Sequence, residues 1–133
     1  MVGAIVLSHG DLADSLIKST GMLVGAAPQI AAVSIYEDNT PEQFEEYVRM
    51  SLDNVDTGDG VVALVDLYGG TPNNVIFKLA HERKNIRIVT GVNLPMLVHL
   101  LTERQPETGL GELVDGLVAS GREGIVEFGH KMV

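Results

Sequence analysis

Short apolar runs alternate with amphipathic stretches from one end of this chain to the other. Residues 2–8 form a first run, apolar up to Ser8, which predicts a strand buried on both faces. Residues 11–24 follow with helical spacing, placing Leu12, Leu16, Ile17 and Leu23 on one face, and Gly25 to Pro28 closes that helix. Ile30 to Tyr36 predicts a second strand. Thr40-Pro41-Glu42-Gln43 is a helix start, with Thr at the N-cap, Pro at N1 and Gln reaching back from N3. Phe44, Tyr47, Val48, Leu52 and Val55 then recur at three- and four-residue steps, as a core-facing helix requires.

Gly58-Asp59-Gly60 turns into a third strand, Val61 to Asp66. Thr71-Pro72 predicts a third helix by the same N-cap and N1 logic, with Val75, Ile76 and Leu79 facing inward. Ile86 to Thr90 is a fourth strand. A fourth helix is expected from about Leu94 to Glu103, a loop over Gln105 to Gly109, and a fifth helix from about Leu110 to Ser120. Gly124 to Phe128 is expected to add a short last strand. This order predicts an α/β fold: an open, mostly parallel, doubly wound sheet of four strands plus the short C-terminal one, with helices on both faces. Crossovers between parallel strands should be right-handed.

The length of 133 residues fits one domain over 1–133, and 45% apolar residues fit an ordinary globular core. The formal net charge of −9 argues against nucleic acid and against an anionic membrane surface, both of which select Lys and Arg. It suits solubility, or the steering of a basic protein partner. The absence of cysteine excludes disulfides and thiolate chemistry, which is compatible with the cytoplasm. The N-terminal run lacks a basic leader and a cleavage pattern, and no apolar stretch approaches a membrane span, so no direct membrane insertion is expected.

Chemistry concentrates where strands end. In sheets of this class, sites lie beyond the carboxyl ends of the strands. His9 ends the first strand, Asp66 the third, and Gly91-Val92-Asn93 the fourth, so all three fall on one edge. A neutral imidazole is a nucleophile near neutral pH. A carboxylate that accepts one ring N–H leaves the other nitrogen's lone pair free and stabilises positive charge developing on the ring. Asp66 is the candidate partner of His9. The bland alternative is an exposed loop histidine beside a strand-end cap. Gly69 and Gly70 permit positive φ and close approach of backbone N–H groups. Thr71 adds a hydroxyl, and Pro72 opens a helix whose positive end suits an anion. A well-capped turn with no ligand is the competing reading. No Lys follows in P-loop spacing, so nucleotide binding is disfavoured.

Asn93 either caps the next helix, the favoured role, or orders the active edge. Met22 is either core or part of an apolar rim excluding water from the site, and Leu23 is assigned to the core. His81, His99 and His130 show no i, i+4 pairing, so no metal is expected. Ser8 beside His9 suggests a hydrolase only superficially, because no nucleophile elbow is present.

At these residues the chain resembles the IIA component of the mannose family of the bacterial phosphoenolpyruvate-dependent sugar phosphotransferase system. The resemblance runs from Val2 to about Val126. It rests on Ser8-His9-Gly10, on Val65-Asp66-Leu67-Tyr68-Gly69-Gly70-Thr71-Pro72, on Gly91-Val92-Asn93-Leu94-Pro95-Met96 and on Gly121-Arg122-Glu123-Gly124. It implies that His9 accepts a phosphoryl group from the phosphocarrier HPr and passes it to a IIB protein. It implies that Asp66 orients the His9 ring through Nδ1, leaving Nε2 to be phosphorylated. Gly69, Gly70 and Thr71 would bind the phosphoryl oxygens, with no cofactor. Family members often carry Trp where this chain has Tyr68, and commonly Ser where it has Thr71. The family is usually dimeric, with the last strand swapped between subunits, and 124–128 is the matching segment here. The resemblance also implies a separate IIA subunit that reaches membrane components through IIB.

Three other readings follow from the same residues. One is the phosphocarrier of a dihydroxyacetone kinase, against which the Asp66 to Pro72 segment argues. Another is a regulatory domain phosphorylated on His9 that passes nothing on. The third is a small-molecule binding module without chemistry.

Overall fold

The computed structural model describes residues 1–130. Four strands form one parallel sheet: β1 (Gly3–His9), β2 (Ile30–Ile35), β3 (Val61–Val65) and β4 (Ile86–Thr90), in the order β2-β1-β3-β4. Five helices accompany them: α1 (Leu12–Val24), α2 (Pro41–Val55), α3 (Gly70–Glu82), α4 (Leu94–Glu103) and α5 (Leu110–Glu123). The expected open, parallel α/β sheet with helices on both faces is what the chain forms.

Strand alternation divides the core into two. Val2, Ala4, Val6, Val62 and Leu64 face one side, where they pack with Leu97, Leu100, Leu113 and Leu117 of α4 and α5 and with Leu16 and Ile17 of α1. Ile5, Leu7, Val61, Ala63 and Val65 face the other, against Phe44, Val48 and Leu52 of α2 and Val75, Ile76 and Leu79 of α3. Adjacent residues point to opposite faces of a strand, so a continuous apolar run is what a sheet covered on both sides demands. Gly3 is required for space: a Cβ there would stand 2.3 Å from the Val55 carbonyl oxygen.

Four expectations need correction. Residues 124–128 form no strand in this chain. Ile125 and Phe128 are 81% and 85% exposed, so the segment lacks the pairing that would order it as one. Tyr47 is half-exposed on α2, whose buried stripe is Phe44, Val48, Leu52 and Val55. In α1 the inward stripe is the buried Ala13 and Thr20 with the partly buried Leu16 and Ile17, while Leu12 and Leu23 are exposed. The small Ala13 lets the helix turn that face to the core, and Thr20 is tolerated because its hydroxyl donates to the Leu16 carbonyl at 2.7 Å. Finally, α3 is capped by Gly69, not by Thr71. Gly69 and Gly70 both have positive φ, at 84° and 79°, and they bring the chain into the helix earlier. Pro72 then falls within the first turn, where a missing N–H costs no helical bond.

Candidate functional site

The strand order places the site. The chain leaves β1 toward β2 on one side, then returns to put β3 on the other, so a switch point lies between the carboxyl ends of β1 and β3. Leu7 and Val65 are paired in register there, and the Asp66 N–H donates to the Leu7 carbonyl at 3.0 Å. Asp66 is therefore set beside His9 by sheet pairing, not by a flexible loop.

Asp66 Oδ2 accepts from the His9 backbone N–H at 3.0 Å and lies 2.9 Å from His9 Nδ1. An ionised carboxylate has no proton to give, so Nδ1 carries the hydrogen and Nε2 keeps its lone pair. One oxygen thus holds both the main chain and the ring of the same residue. The His9 side chain is 53% exposed whereas that of Asp66 is 11% exposed, so the ring faces solvent on a buried support. Asp66 Oδ1 is buried without a hydrogen-bond partner among the described residues.

Nε2 faces the start of α3. A Cβ placed on Gly70 would stand 3.6 Å from Nε2 and 3.5 Å from Cε1. The bare Cα of Gly70 therefore leaves the helix end open beside the free nitrogen. The first-turn N–H groups of Gly70 and Thr71 have no acceptor within the helix, and the helix dipole adds positive potential there. Thr71 shares a groove of about 1010 Å³ with His9, Gly10, Asp11, Tyr36 and Asp38. A nucleophilic nitrogen, a fixed carboxylate behind it and free N–H donors in front can bind and stabilise a group that is anionic and electrophilic, as a phosphoryl group is.

The structure brings His9, Asp66, Gly70 and Thr71 together. Gly69 caps α3 beside them, and Pro72 is buried in its first turn. Asn93 serves as a cap: its Oδ1 accepts from the Met96 N–H at 3.0 Å and its Nδ2 donates to the Gly121 carbonyl at 2.9 Å. Met22 is not at this edge. It lies near the far end of α1, 89% exposed, in a cleft with Ala26, Ala27 and Ile30 beside the start of β2.

Ser8 was legible as a residue but not as a part. It is fully buried, and its Oγ accepts from the Ala13 N–H at 2.8 Å and donates to the Gly10 carbonyl at 3.4 Å. It thereby does the capping work of the helix that follows His9. A Ser a few residues ahead of a helical pattern is the available signal. Tyr36 carries no such signal. Its hydroxyl donates to Asp11 Oδ1 at 2.7 Å, a contact between two loops that no local spacing announces.

Among the described residues no helix is long and apolar enough to cross a membrane. The family model described as PTS system fructose IIA component matches residues 3–118. The chain is 32% identical over 124 residues to the PTS system mannose-specific EIIAB component of Escherichia coli (strain K12), covering 93% of this chain and 38% of that protein. It therefore spans about two-fifths of the length of that relative. It is 29% identical to the PTS system fructose-specific EIIA component of Bacillus subtilis (strain 168), covering 92% of this chain and 84% of that one. The crystal structure of phosphotransferase system component EIIA from Streptococcus agalactiae superposes with a TM-score of 0.88 at 26% identity, covering 96% of this chain and 98% of the other. With the family model matching residues 3–118 and the fold superposing over 96% of the chain, the chain belongs to the PTS fructose/mannose IIA component family.

Proposed function

We propose that this chain is a phosphohistidine carrier of a sugar phosphotransferase system, acting in the cytoplasm as a single IIA domain. His9 Nε2 takes a phosphoryl group from phosphorylated HPr and delivers it to a histidine of a IIB protein, through which the membrane components are served. The observation that supports this most directly is the 2.9 Å contact of His9 Nδ1 with Asp66 Oδ2, which leaves Nε2 free beside the start of α3. The Nε2 lone pair forms the new N–P bond. The donor's N–P bond breaks, and its electron pair returns to the donor imidazole. The Nδ1 proton stays in place, hydrogen-bonded to Asp66, whose carboxylate charge balances the positive charge that builds on the ring during attack. Positioning and electrostatics are most of what such a transfer asks of a protein.

The exposed Ile125, Val126 and Phe128 and the edge of β4, unpaired among the described residues, support association of two copies as part of this reading. The carrier role is tested by incubating the chain with phosphoenolpyruvate, enzyme I and HPr, then adding a IIB protein. Acid-labile label on the wild type, none on His9→Ala, and loss of label to IIB are expected. Equal labelling of His9→Ala would end the assignment, and label that no IIB removes would favour a regulatory domain.

A further inference from the structure

We propose that Tyr36 is a positioning residue for phosphoryl transfer, clasping Asp11 and so fixing the turn that presents His9. The inference rests on the reading of His9 as the phosphoryl acceptor. Asp11 stands at the N-cap of α1, where an Asp side chain ordinarily accepts from the second or third N–H of its own helix. Here it makes no capping bond. Ser8 has taken the Ala13 N–H instead, and the Asp11 carboxylate is turned to the Tyr36 hydroxyl at 2.7 Å.

The clasp belongs to a two-residue ladder between loops. Gly10 N–H donates to the Ile35 carbonyl at 2.8 Å, and one residue on, Asp11 accepts from Tyr36. Tyr36 is itself pinned by Asn39, whose Oδ1 accepts from the Tyr36 N–H at 2.9 Å while its own N–H donates to the Tyr36 carbonyl at 3.0 Å. The turn after His9 therefore has three anchors: Ser8 beneath it, the Ile35 carbonyl beside it, and the Tyr36 phenol across the groove. Gly10 at φ 59° is the one residue between His9 and the clasp, and glycine alone supplies no stiffness there. The phenol provides what Gly10 lacks. Tyr36 is 47% exposed and its ring lies outside both core clusters, so its hydroxyl has little share in global stability.

The test is the initial rate of phosphorylation over a range of phospho-HPr concentrations, for wild type, Tyr36→Phe, Asp11→Ala, Asp11→Asn and the Tyr36→Phe/Asp11→Ala double variant. Small misplacement of a reacting group is costly, and each single truncation should lower kcat by about tenfold with KM little changed. The double variant should be no slower than either single, since both remove one bond. Asp11→Asn keeps an oxygen acceptor and should retain more of the rate than Asp11→Ala. The His9 ring resonances should shift or broaden in Tyr36→Phe while those of His81 and His99 stay in place. Wild-type kcat in Tyr36→Phe, multiplicative losses in the double variant, a loss confined to KM, or unchanged His9 resonances would each overturn the proposal. Failure of the wild type to accept a phosphoryl group would instead sink the carrier reading, and the ring resonances would still decide the clasp.

Discussion

Asp66 accepts two hydrogen bonds from one residue through a single oxygen, and this arrangement fixes both where His9 sits and which tautomer it adopts. Asp66→Asn keeps the shape and one acceptor but loses the charge, and it exposes the buried Oδ1 position to an amide N–H that has nothing to bond. Loss of the carboxylate behind a general-base histidine in serine proteases, which leaves the ring in the wrong tautomer, costs about ten-thousandfold. On the carrier reading, phosphorylation by HPr is expected to slow by about a hundredfold or more, with a somewhat lower melting temperature but a retained cooperative transition as the control for folding. His9, Asp66 and the two glycines were legible because each ends an apolar run or follows one, and strand ends on one sheet edge are forced together. Met22 was not, because a helix carries its two ends to opposite edges of the sheet, and a residue near the end of α1 is remote from the one that precedes it. Tyr36 and Asp11 come from different loops, and only the folded chain shows them touching.

Among elements, the strands were read to within about two residues because burial on both faces leaves no ambiguity of period. Helix faces were less legible. The choice between Leu12 and Ala13 as the inward residue of α1 turns on how closely the helix can approach the sheet, which apolar periodicity does not encode. Arg104 is the clearest omission. It caps the end of α4, nearly buried, and its guanidinium donates to the carbonyls of Val2 at 3.0 Å, Gln29 at 2.9 Å and Pro28. Burial pushes its pKa down, yet the three carbonyls keep it bonded and tie α4 to the amino ends of β1 and β2.

A more exposed lattice joins α2 to α3. Glu45 accepts from Lys78 at 2.9 Å and from Arg49 at 3.0 Å, and Arg49 also reaches Glu82 at 2.9 Å. Hydrogen bonds from Lys78 first, then Arg49, hold the Glu45 carboxyl below its usual 4.5. A depressed carboxyl pKa stabilises the folded state above the unfolded pKa and loses that contribution as pH falls through the folded value. Glu45→Gln should therefore lower the denaturation midpoint near pH 7 while narrowing its difference from wild type as pH drops below 4.5. A difference that stays constant across the acid range would show that the pair is not linked to folding.

At the scale of the whole molecule, the class and the four parallel strands of the sheet were legible, and the short C-terminal strand expected beside them is not formed. The apolar letters of 124–128 look like those of a strand, but local letters do not encode whether a segment is carried to a sheet edge and paired there. Within this chain the segment stays exposed. Association of two copies should appear as twice the chain mass by light scattering, and Phe128→Ser should shift that mass toward the single chain. A wild-type protein with the mass of one chain at every concentration would remove the dimer from the proposal.

The adjacency of β1 and β3 has a kinetic corollary. His9 and Asp66 are 57 positions apart, and a whole β-α unit must be threaded aside before their strands meet. No fragment ending before Asp66 contains both members of the pair, and no early helix formation can assemble it. Contacts of such sequence separation are the slow ones in folding. On the proposed carrier reading, competence to accept a phosphoryl group during renaturation should therefore report the closing of the central strand pair and return after the helical signal.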